Sequence, residues 1–417
     1  MLDSFKRDSI LCLKIAELIL EDLKNEFINL EVFIAQTGSD FVRFALNSEK
    51  TIILHNFTRI NNQKNLKKLA QFGVKNFVLD TEGFPLWIFK TGITSRKLLY
   101  YVDKYFTWGS KQKDYINNIS STKIAVQCGS YRHQKIKKNK INDENRCLVI
   151  TSSPIANPLF ESREASILVT KKASRLSNKD MNKVVEEQEI IMKNIGDLLP
   201  LLSSHFKEVL IRVHPFENKK IYREYSRNLL NIKFSENQNL LDDFKFCSTV
   251  LHGYSTAGVE AYLSGKRTFV PKKSEKLPNF FEKYLSIVSI GSQTIVQKNF
   301  KKIIDNNNLD SDANNVSKKE LDKYYGLNIK PIQGIQIIKE TMMNEFTSKD
   351  KFHLRNYLKR IIALKFLQIR KILGFSPKPK TLKKIFKKDF HQIIITEGIK
   401  VNLKELENAS GVWKASQ

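Results

Sequence analysis

CSTVLHGYSTAGVEAYLSGKRTFVP, residues 247–271, reads as strand, loop, helix and strand in immediate succession. Thr249-Val250-Leu251 is an apolar run short enough for a buried strand. His252 to Gly258 is rich in turn formers, and Val259 to Ser264 reads as helix. Gly265 stands where a helix C′ glycine stands, and Arg267 to Val270 is the next strand. A strand followed by Ser255, Thr256 and Gly258 at a helix start has the chemistry of an anion site. The first-turn N–H groups lack intrahelical acceptors, the macrodipole is positive there, and two hydroxyls add donors. An N-cap on an ordinary βαβ crossover would use the same letters, so a second feature has to decide.

Outward toward the N-terminus, Glu208 to Val213 (EVLIRV) is a strand ending in His214-Pro215-Phe216-Glu217. Pro215 restricts His214 to extended geometry directly after the strand. A lone histidine is usually structural, but an imidazole donor and a helix N-terminus in one α/β half can together hold a monophosphate or diphosphate leaving group. Glu260, near the first turn of the helix, can complement the dipole or accept from ribose hydroxyls. Cys147 to Ile150 is a further strand, followed by Thr151-Ser152-Ser153-Pro154 and Asn157 in a loop, and then by a long helix over Asn178 to Ile195.

The first part of the chain has the same rhythm. Residues 4–27 form a helix that buries Ile10, Leu13, Ile15, Ile19 and Leu23. Leu30 to Ala35, Thr51 to Leu54 and Asn76 to Leu79 are strands, with a helix over Asn61 to Phe72 closed by Gly73. The alternation means α/β with a parallel sheet. Asp80-Thr81-Glu82-Gly83 follows a strand, where ligands of open α/β sheets bind, although a solvated turn would also use these residues. Phe106-Thr107-Trp108-Gly109 ends a short strand, and Lys123 to Cys128 leads into Gly129-Ser130-Tyr131-Arg132. The polar run Lys135 to Asn145 is a linker, after which the α/β rhythm restarts. The expected division is therefore 1–145, 146–335 and a basic helical extension over 336–417.

Composition narrows the class. At 417 residues the chain can hold two domains with full cores, and 41% hydrophobic content is that of a globular protein. No apolar run reaches the roughly 18 residues of a membrane-spanning helix. The charged residues of the first helix argue against a signal peptide. The four cysteines (Cys12, Cys128, Cys147 and Cys247) have no metal-ligand spacing and read as core thiols of a reducing compartment, so the expected location is cytoplasmic. A net charge of +27 calls for a polyanionic neighbour. From Lys351 to Lys388 there is no Asp or Glu. Within that run Phe352 to Leu373 spaces Leu, Ile and Phe helically between Arg and Lys. It suits the anionic inner face of a membrane as well as it suits a helix packed on the core.

These residues, in this order, resemble a GT-B glycosyltransferase: two Rossmann-like α/β domains facing across a cleft. The resemblance is to bacterial surface carbohydrate biosynthesis proteins and, more distantly, to sialyltransferases, polysialyltransferases and capsule Kdo transferases with acidic-Gly and HP motifs. It rests on Asp80 to Gly83, Trp108-Gly109, Gly129 to Arg132, Thr151 to Ser153 with Asn157, Arg212 to Glu217 and His252 to Gly265. It implies Glu82 as general base, and His214 with Pro215, Ser255, Thr256 and Gly258 at the phosphate of a CMP-linked sugar. It further implies Glu260 near the nucleotide, and Asp80, Gly83, Arg132, Ser152, Ser153 and Asn157 lining the cleft. The donor is then a nucleotide sugar carrying a nonulosonate or Kdo, the acceptor a glycan or lipid-linked glycan, and no metal or tightly bound cofactor is required. Thr81 stands where the sialyltransferases have their first acid. The chain also opens on a helix where a GT-B half opens on a strand, so the start is truncated or the sheet lacks a strand. Three alternatives stay open: a glycerophosphotransferase using a CDP-alcohol, a non-catalytic GT-B scaffold, and a nucleic-acid-binding protein. The last is disfavoured because no recognition motif accompanies the charge.

Overall fold

A computed structural model describes residues 5–23, 32–35, 52–55, 66–67, 69–81, 83, 99–138, 145–174, 176–237, 239–306, 311–347, 400, 402–405 and 412–416. Their elements begin with α1 (Phe5–Leu23), β1 (Val32–Ala35), β2 (Ile52–His55), β3 (Lys75–Leu79), β4 (Lys104–Thr107), α2 (Ser110–Ile119), β5 (Ala125–Gln127) and α3 (Tyr131–Gln134). Next come β6 (Arg146–Ile150), α4 (Arg163–Ser174), α5 (Asn178–His205), β7 (Glu208–Arg212), α6 (Lys220–Tyr225), β8 (Ile232–Phe234), α7 (Leu240–Lys245) and β9 (Thr249–His252). The chain continues through α8 (Thr256–Leu263), β10 (Arg267–Pro271), α9 (Asn279–Val288), β11 (Ser292–Ile295) and α10 (Phe300–Ile304). It ends with α11 (Ser311–Tyr325), α12 (Pro331–Thr347), β12 (Asn402–Glu405) and β13 (Val412–Ser416).

Two compact units result, each Rossmann-like, as expected for a GT-B-like chain. One comprises the described residues up to Gln134 together with those from Tyr324 onward; the other is Lys135–Lys323. The first unit is built on the parallel sheet β2-β3-β4-β5. The two-residue side-chain period of β3 sends Phe77 and Leu79 to one face and Val78 to the other. Phe77 and Leu79 pack with Phe106, with Ile15 and Ile19 of α1, and with Ile335 and Ile338 of α12. Val78 packs with Leu66, Leu99, Tyr105 and Ile116 of α2. This division differs from the one expected from sequence, because residues from Tyr324 on return to the first sheet instead of closing the second unit.

The strand expected at Leu30 to Ala35 forms, but not in the parallel sheet. β1 pairs antiparallel with β13, which also pairs antiparallel with β12, making a separate three-stranded sheet. The end of the chain thus supplies strands where a helical extension was expected; Phe352 to Leu373 lies outside the described residues.

The second unit carries six parallel strands in the order β11-β10-β9-β6-β7-β8. Central strands of a doubly covered sheet bury both faces. Accordingly Leu148, Val149, Val250 and Leu251 are all buried. The α5 helix runs past the expected end at Ile195 to His205, through Gly196 and Pro200. Leu198, Leu199 and Leu202 prolong its buried stripe. Gly196 is required by packing: a Cβ there would stand 2.7 Å from the Tyr225 ring.

Candidate functional site

In the second unit His252, Ile150 and Arg212 stand level across β9, β6 and β7. Neighbouring strands are about 4.8 Å apart. The loops that follow, 252–255, 151–157 and 213–218, therefore lie side by side at the carboxyl edge of the sheet, where a ligand of an open α/β sheet is expected.

His214 is half-buried at the end of the β7 strand. Its backbone N–H donates to Thr151 Oγ1 (3.0 Å), and the Phe216 N–H donates to His214 Nδ1 (3.3 Å). The Glu217 N–H donates to the His214 carbonyl (2.9 Å), closing a β-turn with Pro215 at its second position. Burial pushes the imidazole down to about 4, so the ring is neutral at pH 7. A neutral ring whose Nδ1 accepts carries its proton on Nε2. Among the described residues that Nε2–H has no protein acceptor.

Beneath the turn lies Glu217, which is 1% exposed. Its carboxyl accepts from the Ser153 N–H and from Tyr222 Oη (2.8 Å). Desolvation outweighs these donors and pushes the carboxyl up to about 7. Ser153 Oγ donates to the Gln188 carbonyl (3.1 Å), and Gln188 Oε1 accepts from Ile155 and Ala156 (3.0 and 3.1 Å). Asn157 Nδ2 donates to the Asn218 carbonyl (2.8 Å). Of the cleft residues expected here, Ser153 and Asn157 thus tie loops together, and Ser152, just before them, is half-buried.

The third loop turns at Tyr254, whose φ of 57° is left-handed; it is the one non-glycine residue among those described with positive φ. A hydrogen bond from Tyr254 Oη to the Pro271 carbonyl (2.9 Å) holds the turn. Ser255 is the N-cap of α8: its Oγ accepts from the Ala257 N–H (3.2 Å), and its carbonyl accepts from Gly258 (2.9 Å). The Ser255 O–H and the half-buried Thr256 hydroxyl remain as donors at the helix start. Gly258 has a different task from the expected contact with phosphate. A Cβ there would stand 2.3 Å from the His252 ring, so the glycine lets the helix close over a buried imidazole. That ring accepts at Nδ1 from Ser255 (3.3 Å), which leaves Nε2–H to donate to Ser292 Oγ (2.9 Å). Burial holds it down at about 3. Glu260 is the fifth residue of α8 and only 3% exposed. Its side chain is buried, one turn beyond the first N–H groups of the helix.

In the first unit Asp80, 2% exposed, directly follows the β3 strand. Its carboxylate accepts from Gly83 N–H (2.7 Å), Tyr105 Oη (2.8 Å) and Gln112 Nε2. Gly83 has φ of 70°, and a Cβ would stand 2.2 Å from the Trp108 ring. Ser130 N–H donates to the Tyr325 carbonyl (2.8 Å), and a Cβ on Gly326 would stand 2.3 Å from the Trp108 carbonyl oxygen. His133 lies against Trp108 and Tyr325, with centroids 5.3 and 4.4 Å away, and bonds Ser130 Oγ at 2.7 Å. The motifs Trp108-Gly109 and Gly129 to Arg132 thus receive the returning chain, with Arg132 exposed on α3. Glu82 lies outside the described residues.

Sequence reasoning passed over Gln188 and Tyr222 and quoted Thr151, Glu217 and His252 only as parts of motifs. Among the described residues no group of three or more His, Cys, Asp or Glu side chains could hold a metal ion, and no helix is long and apolar enough to cross a membrane.

No family model and no curated protein matches the chain. Several solved structures are similar in fold. UDP-GlcNAc 2-epimerase from Methanocaldococcus jannaschii is 11% identical, with 80% of this chain and 96% of that chain covered and a TM-score of 0.45. For UDP-GlcNAc 2-epimerase from Neisseria meningitidis bound to UDP-GlcNAc the values are 11%, 82%, 82% and 0.39. For a glycosyltransferase from Rickettsia africae they are 12%, 82%, 84% and 0.37. Likeness at this level carries no function from those proteins to this chain.

Proposed function

We propose that the chain is a glycosyltransferase of surface polysaccharide assembly whose nucleotide-sugar donor rests its phosphate at the carboxyl edge of the second unit. The observation that carries this reading is the neutral His214 imidazole, with Nδ1 occupied and an unspent Nε2–H at a strand end. The Ser255 and Thr256 hydroxyls at the start of α8 support it. In transfer, the bond from the anomeric carbon to the phosphate oxygen breaks and negative charge grows on that oxygen. Donors already fixed in place stabilise the growing charge more than they stabilise the ground state. A bond forms from the acceptor hydroxyl oxygen to the anomeric carbon, and the hydroxyl proton goes to a base. The sequence resemblance assigns that role to Glu82. It also assigns a CMP-linked nonulosonate or Kdo as donor and a glycan or lipid-linked glycan as acceptor. Docking of Phe352 to Leu373 on the inner face of the membrane would suit a lipid-linked acceptor.

Calorimetric titration with CMP, CDP, UDP and GDP tests the reading. The expected result is binding selective for CMP, weakened about 10- to 100-fold in His214→Ala, the worth of one hydrogen bond to a charged group. Selective binding of CDP or UDP, with the same loss, would keep the phosphate site and overturn the CMP donor. No response to any of the four nucleotides would overturn the reading as a whole.

A further inference from the structure

We propose that Phe216 and Phe160 form an aromatic wall that stacks the nucleobase of the donor beside the phosphate site. The inference rests on the phosphate-binding reading above and names the residues that take the other end of the nucleotide.

The wall stands on the loops that follow β6 and β7, which are laced into a short antiparallel ribbon. The Asn218 N–H donates to the Asn157 carbonyl (3.0 Å), the Leu159 N–H donates to the Phe216 carbonyl (2.9 Å), and Pro158 and Glu217 form the β-bridge between them. Asn157 Nδ2 adds its bond to the Asn218 carbonyl (2.8 Å). Side chains alternate along an extended segment, so the residues on either side of a bridge pair turn to the opposite face. Glu217 is accordingly buried, whereas Phe216 is 60% exposed and Leu159 is exposed beside it. Phe160 comes next, 75% exposed, its ring edge-to-face with that of Phe216 at 6.1 Å between centroids. The Phe216 ring also lies 5.6 Å from the His214 imidazole, whose Nδ1 accepts the Phe216 N–H. The exposed aromatic pair is thus the immediate neighbour of the Nε2–H donor.

Single exposed apolar side chains are ordinary, but a contiguous apolar surface beside fixed polar groups marks a ligand site. The occupant follows from what is tethered to the phosphate. On one side of a donor phosphate stands a nucleoside, on the other a sugar. Sugar hydroxyls need hydrogen-bond partners, and the polar groups of the ribbon named above are spent on one another. A nucleobase has a π face that stacks on phenylalanine without a polar partner. Every base has such a face, so the wall adds affinity for nucleotides in general and does not choose among them. The lacing holds the rings in place before the ligand arrives, which lowers the ordering cost of binding.

The test titrates the full chain with CMP and UDP, and with ribose 5-phosphate and inorganic pyrophosphate, which carry phosphate without a base. Wild type should bind the better nucleotide about tenfold or more tighter than either base-free ligand. Phe216→Ala should weaken that nucleotide about 10- to 100-fold and leave the base-free ligands within about twofold. Phe160→Ala should act in the same direction. Phe216→Tyr keeps a π face and should stay within about threefold of wild type, whereas Phe216→Leu, apolar but not flat, should lose nearly as much as alanine. Both rings are exposed, so these variants should unfold at the wild-type midpoint. Equal loss of nucleotide and base-free ligands in Phe216→Ala would show that the ring only braces His214, overturning the inference and leaving the phosphate site standing. Unchanged nucleotide affinity in both alanine variants would overturn it as well, as would a wild type that binds the base-free ligands as tightly as the nucleotides. A wild type that binds none of the four would overturn the phosphate reading, and the inference with it.

Discussion

At the carboxyl edge of the first sheet Asp80 accepts three hydrogen bonds inside the protein, whereas at the same edge of the second sheet His214 accepts one and keeps its donor free. Asp80 follows its strand directly and His214 stands two residues past the end of its own, and both belong to short motifs that resemble those of one enzyme class. They differ in what surrounds them. The returning segment at Tyr325 and Gly326 packs onto Trp108, Gly129 and His133, and the Asp80 carboxylate is consumed inside that edge, while His133 Nε2 and Gln134 Oε1 are buried there without a hydrogen-bond partner among the described residues. Around His214 the consumed groups lie one layer below, in Thr151, Ser153 and Glu217, and they hold the upper layer still. Position at a strand end is therefore shared by structural and functional residues; unspent hydrogen-bonding capacity separates them.

The comparison breaks most visibly if Asp80 can be removed without consequence. Asp80→Ala would leave Tyr105 Oη, Gln112 Nε2 and the Gly83 N–H buried without their acceptor. The expected loss is at least about 3 kcal/mol. Denaturant unfolding measures it as a lower midpoint at unchanged slope. A loss below about 1 kcal/mol would mean that the Asp80 carboxylate is not the clamp of this edge.

Next in size is a pH effect from the lower layer of the second site. Glu217 titrates at about 7 in the folded protein, against an ordinary value of 4.5. Between these values the native state binds the extra proton, so this group makes stability fall as pH rises through that window, by about 3 kcal/mol in full. His214 and His252, held at about 4 and about 3, work the other way. Their unfolded forms bind protons up to about 6.5, so stability rises with pH through their window. The measurable quantity is thus the difference between Glu217→Gln and wild type. It should grow in favour of the variant by about 3 kcal/mol from pH 4.5 to above pH 7, and a flat difference would show that Glu217 is ionised throughout.

Much of this architecture is legible in the letters. Apolar runs such as Cys147 to Ile150 and Thr249 to Leu251 announce strands, because buried parallel strands need both faces apolar. Pro215 marks His214, since few other devices hold a residue extended after a strand. The failures have physical causes too. Leu30 to Ala35 looks like any strand, and its partner, Val412–Ser416, lies at the opposite end of the chain. Gly258 looks like a phosphate contact because a glycine near a helix start serves close approach of any kind; only the fold shows that the approaching group is the His252 ring. Glu217 follows His214 by three residues, yet nothing local says that its carboxyl turns inward to meet Tyr222 Oη.

The smallest expected effect sharpens the comparison most, because at Ser255 structure and function share one side chain. As N-cap it contributes about 1 kcal/mol through the Ala257 N–H, and Ser255→Ala should lose that much whatever the site binds. Ser255→Asp separates the two roles. An aspartate caps as well as serine does and suits the positive end of the helix dipole, so unfolding should shift by no more than a few tenths of a kcal/mol. Its carboxylate cannot donate, and it sets a negative charge where the phosphate is expected to rest. Nucleotide affinity should then fall by about tenfold or more while stability holds. Unchanged affinity in Ser255→Asp would reduce Ser255 to a helix cap, placing it with Asp80 among residues spent on the fold and leaving His214 and Thr256 to hold the phosphate.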